Sequence, residues 1–355
     1  MPVSLVTGGA GFMGAHLVKE LLAMGHTVVA LDDLSGGFAD QVDPRATFVQ
    51  GSINDYALIE ALFEKHHFDH VYHLAAYAAE GLSHFIRHFN YQNNLIGSIH
   101  LINASVRHKV KCFVFTSSIA VYGSLKPPMT EDMHPVPEDP YGVAKLAVEM
   151  DLHAARHMFG LNYVVFRPHN VYGEYQNIGD RYRNVVGIFM NQLMQGVPLS
   201  VFGDGEQQRA FSYIGDIVPI MARCVDVKEA YGQVFNIGAD QPYTVKQLAT
   251  AVMNAMGVTG KLNHVESRNE AVNAWSDHSK AHRVFGPCLR RPCLRRSGYA
   301  QARSGFAQAR SGQGTSLEEG LHRMAEWAKR TGARESKEFE NIEIIEKLPS
   351  FWAKK

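Results

Sequence analysis

The stretch "VSLVTGGAGFMGAHLVKELLAMG", residues 3–25, runs from a short apolar segment through glycines into an amphipathic helical pattern. Gly8, Gly11 and Gly14 are spaced GxxGxxG. One glycine permits the tight turn, one lets backbone approach a diphosphate, and one allows close helix–strand packing. The helix start that follows offers free N–H groups and the positive end of its dipole to an anion. Any tight strand-to-helix turn can carry such glycines, so what comes next decides. "VVALDDL" puts Asp32 at the end of a second predicted strand, 18 residues beyond Gly14. An acidic side chain there accepts hydrogen bonds from the adenosine ribose and repels a 2′-phosphate. No arginine follows Asp32 or Asp33 directly, which favours NAD over NADP.

The first half continues the rhythm. "DYALIEALFEKH", "SIHLINASVRH" and "AKLAVEMDLHAARHMFG" read as helices; "HVYHLAA", "KCFVFTSS" and "NYVVFRP" read as strands. Continuous apolar, β-rich runs between amphipathic helices predict a Rossmann-like, doubly wound parallel sheet covered on both faces, an α/β fold. After about Val171 the pattern becomes a smaller α/β lobe. The expected organisation is a cofactor-binding Rossmann domain over 1–170, with segments of 171–240 returning to it, and a substrate-binding lobe over 171–355.

Residues 287–313 stand apart: "CLRRPCLRR" and "SGYAQARSGFAQARSG" are imperfect duplications with six arginines and no acid. Low complexity without an apolar face predicts a basic surface insertion rather than a nucleic-acid module, which would bring a stacking platform with it. The whole chain has 35 basic and 35 acidic residues and a formal net charge of zero, so no global field draws it to nucleic acid or membrane. No apolar run reaches the ~18 residues of a membrane span, and the N-terminus lacks a secretory pattern. Cys112, Cys224, Cys288 and Cys293 show no CxxC spacing. They are expected to be free thiols in a cytoplasmic protein, with no metal site.

"YGVAK", residues 141–145, places Tyr141 and Lys145 on one helical face. Alone, such a pair is most often a surface aromatic packed on a lysine stem. Here it follows TGGAGFMG, Asp32, "HLAAYA" and "TSSIAVYG", in that order. With this series the chain resembles the extended short-chain dehydrogenase/reductases, and among them the nucleotide-sugar epimerases of the UDP-glucose 4-epimerase type. The resemblance covers nearly everything except 287–313.

The resemblance implies an NAD-dependent isomerase, a UDP-sugar substrate and a homodimer. It makes Tyr141 the acid/base, Lys145 its electrostatic partner and Ser118 the hydroxyl that meets the reacting oxygen. It places NAD against Gly8, Gly11, Phe12, Met13, Gly14, Asp32, Ser52, Ile53, Leu74, Ala75, Ala76, Tyr141 and Lys145. Asn94 is expected to support the catalytic region. Ser118, Asn170, Arg209, Arg268 and Ala274 are expected to meet substrate, the two arginines at the diphosphate. A free tyrosine titrates near pH ~10, so the lysine ammonium and the positive nicotinamide are expected to lower Tyr141.

Two departures matter. Ser52–Ile53 stands where relatives usually carry Asp–Ile at the adenine. Ala274 stands beside Trp275 where relatives confined to UDP-glucose and UDP-galactose carry a tyrosine, so room for a C2 acetamido group is expected. The same scaffold also hosts dehydratases, decarboxylases and reductases. Dehydratases of this kind carry Asp–Glu after the catalytic hydroxyl residue, and decarboxylases a glutamate before VYG. Ser118–Ile119–Ala120 has neither. That leaves epimerisation at C4, with UDP-glucuronate or another nucleotide sugar as alternative substrate. A non-enzymatic NAD sensor would have little need of Ser118, Tyr141 and Lys145 together.

Overall fold

In the computed structural model the chain is described over residues 1–267, 271–289, 314–336 and 338–352. β1 (Val3–Thr7) enters the glycine turn and α1 (Phe12–Ala23) leaves it; β2 (Thr27–Asp32) and β3 (Thr47–Gln50) follow on one side. The chain then passes α2 (Tyr56–His66) and crosses back over β1 to β4 (His70–His73). Short helices α3 (Glu80–Ser83) and α4 (Arg87–Tyr91) lead, through a π-helical stretch at Gln92–Ile96, into α5 (Gly97–Arg107) and β5 (Cys112–Thr116). α6 (Pro140–Phe159) and β6 (Tyr163–Pro168) extend the sheet.

With β11 (Gln233–Ile237) at its far edge, the seven-stranded sheet has the order β11-β6-β5-β4-β1-β2-β3, all parallel. It is Rossmann-like, as the alternation predicts. Its strands are buried on both faces because helices cover both. Leu17, Val18 and Leu21 of α1 pack on one side with Tyr72 and Phe166. Phe63, Leu101, Val148 and Leu152 pack on the other with Leu5 and Phe113. Strand order reverses between β1 and β4, and the crevice at the carboxyl ends there is where such sheets take ligands. Gly8, Leu74 and Ser118 all follow strands at that edge.

Beyond β6 come β7 (Val171–Tyr172), α7 (Val185–Met194), β8 (Leu199–Phe202), β9 (Gln208–Ala210), β10 (Ser212–Tyr213) and α8 (Ile214–Arg223). β11 (Gln233–Ile237) returns to the main sheet beside β6. β12 (Pro242–Thr244), α9 (Val245–Met256), β13 (Leu262–Val265), β14 (Asn273–Ala274) and α10 (Ser279–Leu289) complete the lobe with the helix Leu317–Thr331. α9 starts in a full capping box between Thr244 and Gln247. Of the 287–313 insertion, residues 290–313 lie outside the described residues.

The segment 338–352 runs back over α3 and α4. Trp352 is buried with Ala79, Leu82, Ile86 and Tyr182, and Phe339 packs against the same cluster. The Glu343 carboxylate accepts from the backbone N–H groups of His88 (2.8 Å) and Phe89 (2.9 Å), capping α4.

Candidate active site

A cavity of about 460 Å³ extends from Asp32 across the glycine turn to Tyr141 and on to Arg209 and Ala274. Along it lie Gly8, Gly11, Phe12, Met13, Gly14, Ile53, Leu74, Ala75 and Ala76. The turn is tight: a Cβ on Gly14 would stand 2.0 Å from the Gly8 carbonyl oxygen, and one on Gly8 2.8 Å from Ala75 N. Only bare backbone fits, which leaves the start of α1 open to an anion. Asp32 accepts from Ala10 N (3.0 Å) and Leu34 N (2.8 Å). Burial pushes its carboxyl above the usual range, and these bonds oppose that push. The residues present therefore fit a dinucleotide: a bare-backbone cradle for diphosphate and an oriented carboxylate for ribose. Ser52 does not line the cavity; its hydroxyl accepts from Asn54 N (3.2 Å).

Ser118 ends the β5 segment with its hydroxyl accepting from Ala120 N at 3.1 Å. α6 begins with Asp139 as cap, accepting from Gly142 N at 2.9 Å, and Pro140 in the first turn. A Cβ on Gly142 would meet the Ala120 carbonyl oxygen at 2.6 Å, so glycine lets this turn reach the Ser118 loop. Tyr141 N donates to Ser83 Oγ (3.2 Å), and Asn90 Nδ2 donates to the Pro140 carbonyl (2.8 Å). Asn94 continues the chain of contacts, donating to Asn90 Oδ1 at 2.8 Å and accepting from Tyr77 N at 2.9 Å. The turn that carries Tyr141 is thus held from the α3–α5 side.

Lys145, 2% exposed, donates to the Thr116 carbonyl at 2.8 Å, and its Nζ lies 5.7 Å from the centre of the Tyr141 ring. Burial lowers its pKa to about 7, with the Glu149 charge acting the other way. Burial likewise pushes the Tyr141 phenol above its ordinary value; the Ser118 hydrogen bond and the Arg183 charge oppose this. The direction differs from the sequence expectation. Removing both groups from water disfavours phenolate and ammonium alike, and the chain's own residues do not overcome that for the phenol.

Arg183 escaped the sequence reading. It lines the cavity, pairs with Asp180 (2.6 Å) and sits 4.6 Å over the Tyr77 ring. Nothing in "DRYRN" marks it; only folding brings it to Tyr141. Asn170 lines the cavity with φ +40° and donates to the Ala210 carbonyl at 3.1 Å. Arg209 lines it too, with Nη1 donating to the Gln208 and Val272 carbonyls and Nη2 to that of Ala271. Ala274, beside Arg209 in the β14–β9 pair, is 9% exposed and faces the cavity wall. Arg268 lies outside the described residues.

The chain matches the NAD dependent epimerase/dehydratase family over residues 4–238. It is 33% identical over 291 residues to UDP-glucose 4-epimerase of Mycolicibacterium smegmatis, covering 80% of this chain and 92% of that protein. Among solved structures it is similar to UDP-glucose 4-epimerase of Thermotoga maritima, determined with UDP-glucose. That similarity has a TM-score of 0.82 and 31% identity, over 93% of this chain and 99% of that one. UDP-N-acetylglucosamine 4-epimerase of Methanobrevibacter ruminantium, determined with UDP-N-acetylmuramic acid, matches with a TM-score of 0.78. There the identity is 25%, over 92% of this chain and 97% of that one. On this extent of match, joined to the glycine cradle and the parallel sheet, the chain belongs to the NAD dependent epimerase/dehydratase family of enzymes.

Proposed function

We propose that the protein epimerises a UDP-sugar at C4, with Tyr141 as acid/base and Ser118 aligning the reacting oxygen. The observation that carries this is the convergence of Ser118, Tyr141 and Lys145 on the cavity that also holds the glycine turn and Asp32. NAD, when bound, supplies the hydride acceptor and donor for C4. Asp32 would hold its ribose, and the start of α1 its diphosphate. Tyr141 takes the proton from the 4-hydroxyl and returns it when the hydride comes back to the opposite face. Lys145 and Arg183 place positive charge where the phenolate forms. Asn170 and Arg209 are proposed to hold the substrate diphosphate, Arg209 by exchanging carbonyl partners for phosphate oxygens.

Elimination would need a carboxylate pair just after Ser118. Ile119 and Ala120 bring no carboxylate to the wall. Asp139 is committed to capping α6, and Glu138 accepts from the Ser124 hydroxyl at 2.6 Å. The small Ala274 supports acceptance of N-acetylated sugars as well as UDP-glucose and UDP-galactose.

The proposal includes a division of labour between a cofactor unit over 1–170, joined by β11, and a substrate lobe over 171–355. It also includes a cytoplasmic homodimer. Val143 and Met150, two helical turns apart on α6, are exposed apolar side chains that suit a second copy. Cys112 and Cys224 are buried free thiols. No helix among the described residues is long and apolar enough to cross a membrane.

The test is a product spectrum. Purified protein is given UDP-galactose, UDP-N-acetylglucosamine and UDP-glucuronate in turn, and products are separated by chromatography. Interconversion at C4 is expected. Release of a keto or 4,6-dehydrated sugar, or no turnover by protein that binds NAD, would overturn the assignment.

A further inference from the structure

At the cavity wall, the buried His169 faces the buried His278. His169, between β6 and β7, and His278, just before α10, are each 2% exposed. Their Nε2 atoms stand 3.0 Å apart, although the residues are 109 positions apart in the chain. The outer nitrogen of His169, Nδ1, is 3.0 Å from the Ala210 carbonyl oxygen. That of His278, Nδ1, is 2.6 Å from Asp240 Oδ1.

Counting protons along this line fixes its charge. A carbonyl and a carboxylate only accept, so both Nδ1 atoms must carry hydrogen. The central contact needs one proton: with none, two lone pairs face each other, and with two, the N–H groups collide. Three protons on two rings make one imidazole and one imidazolium. Asp240, whose side chain is 75% exposed and which His278 holds below the usual carboxylate range, supplies the counter-charge. Burial and the neighbouring ring push His169 down to about 3, so it is the neutral acceptor and His278 the donor. Ser276 Oγ, 3.1 Å from His278 Nε2, accepts a share of that N–H.

We propose that His169 and His278 are positioning residues, a proton-bridged clasp that holds Asn170 and Ala274 in place on the substrate wall. This rests on the UDP-sugar reading above. The Ala210 carbonyl accepts from His169 Nδ1 and from Asn170 Nδ2 together, and the Asn170 carbonyl accepts from Ser212 N at 3.2 Å. Asn170 is held in the left-handed region, a conformation that persists only when its surroundings impose it. On the other side His278 belongs to the stretch that carries Ala274. The ring-to-ring bridge joins these two parts of the wall.

Charged and titratable groups around the pair come from several elements. The β11–β12 loop gives Asp240, and α10 adds His282, which acts on Asp240 along with the two rings. β9 presents the Ala210 carbonyl and the β14–α10 link the Ser276 hydroxyl. Loss of the bridging proton would leave two lone pairs facing each other at 3.0 Å, and the clasp would loosen.

The experiment uses the full chain with 15N-labelled histidine. At neutral pH NMR should show one imidazolium, one neutral ring and a shared N–H···N proton. Over the pH range in which NMR shows that proton leaving, KM for the UDP-sugar should rise about tenfold while kcat stays within about twofold. Asp240→Asn, a surface substitution, should move both the NMR titration and the KM rise to lower pH. His278→Gln, uncharged at every pH but able to donate to His169, should give a KM that no longer changes over that range. Two neutral rings at neutral pH, or a titration that leaves KM unmoved, overturns the clasp. If no UDP-sugar is turned over, calorimetric UDP binding over the same pH range replaces KM. The protonation count then still decides the clasp, separately from the reaction.

Discussion

Glu149→Gln tests the charge arrangement beneath Tyr141 and Lys145. Glu149 lies one helical turn beyond Lys145 and receives Arg167 in a two-pronged pair, Nε to Oε1 at 3.0 Å and Nη2 to Oε2 at 2.5 Å. The Ser117 hydroxyl also donates to Oε1. Both charged side chains are nearly sealed from water, at 5% and 6% exposure. Removing one partner of such a pair costs about 3–5 kcal/mol, mostly because the other charge stays buried. The amide oxygen of glutamine still accepts one guanidinium N–H, so the loss should fall near ~3 kcal/mol. At roughly 2–3 °C per kcal/mol for a chain of this size, Tm should drop by about 6–9 °C in differential scanning calorimetry. Glu149 also opposes the burial that lowers Lys145 to about 7. Without it the ammonium is lost at lower pH, and the alkaline limb of the rate profile should move toward acid. Replacing both partners, Glu149→Leu with Arg167→Met, leaves no orphan charge and should recover most of the stability without restoring the profile. A single variant with wild-type Tm and an unmoved alkaline limb would refute the reasoning.

Tyr141→Phe should lower turnover by roughly 10²–10⁴-fold with NAD still bound and Tm near wild type, since it removes only the proton carrier; full activity in the folded variant would dismiss Tyr141 as acid/base. Gly14→Ala drives a methyl into backbone 2.0 Å away, so calorimetry should show NAD affinity reduced. The reduction expected is about tenfold or more, and unchanged affinity would show that the cofactor does not use this turn. Ala274→Tyr should cut turnover of UDP-N-acetylglucosamine roughly tenfold while UDP-glucose stays within about threefold. Equal losses on both sugars would remove Ala274 from substrate choice.

Local signals carried the architecture. The glycine spacing and the alternation of apolar strands with amphipathic helices sufficed for the parallel sheet, because both patterns repeat within a few residues. YGVAK put Tyr141 and Lys145 on one helical face, but only the ordered series of motifs before it gave the pair a reading. What depends on distant chain meeting chain was not legible. Arg183 reaches Tyr141 only through the turn at Asp180, and His169 meets His278 only when the lobe closes. Arg209 was expected at phosphate; its bonds to the Ala271 and Val272 carbonyls, more than 60 positions away, could not be read locally. Ser52 turns into its own loop because its short hydroxyl is satisfied by Asn54 N. The rise of the phenol could not be read from neighbours in sequence, since burial is a property of the whole fold.

The cap that Glu343 places on α4 ties the pocket to the order in which a ribosome delivers the chain. Its partner His88 precedes it by 255 positions. By the time β11 has emerged, the glycine turn, Ser118, Tyr141 and Lys145 all exist, and the main sheet has every strand it needs. Tyr77 and Phe89 still await Phe339, against which both rings pack. A nascent chain halted there could grip its nucleotide cofactor before the wall that includes Ala274 was complete, so cofactor capture can precede and steady the last folding step.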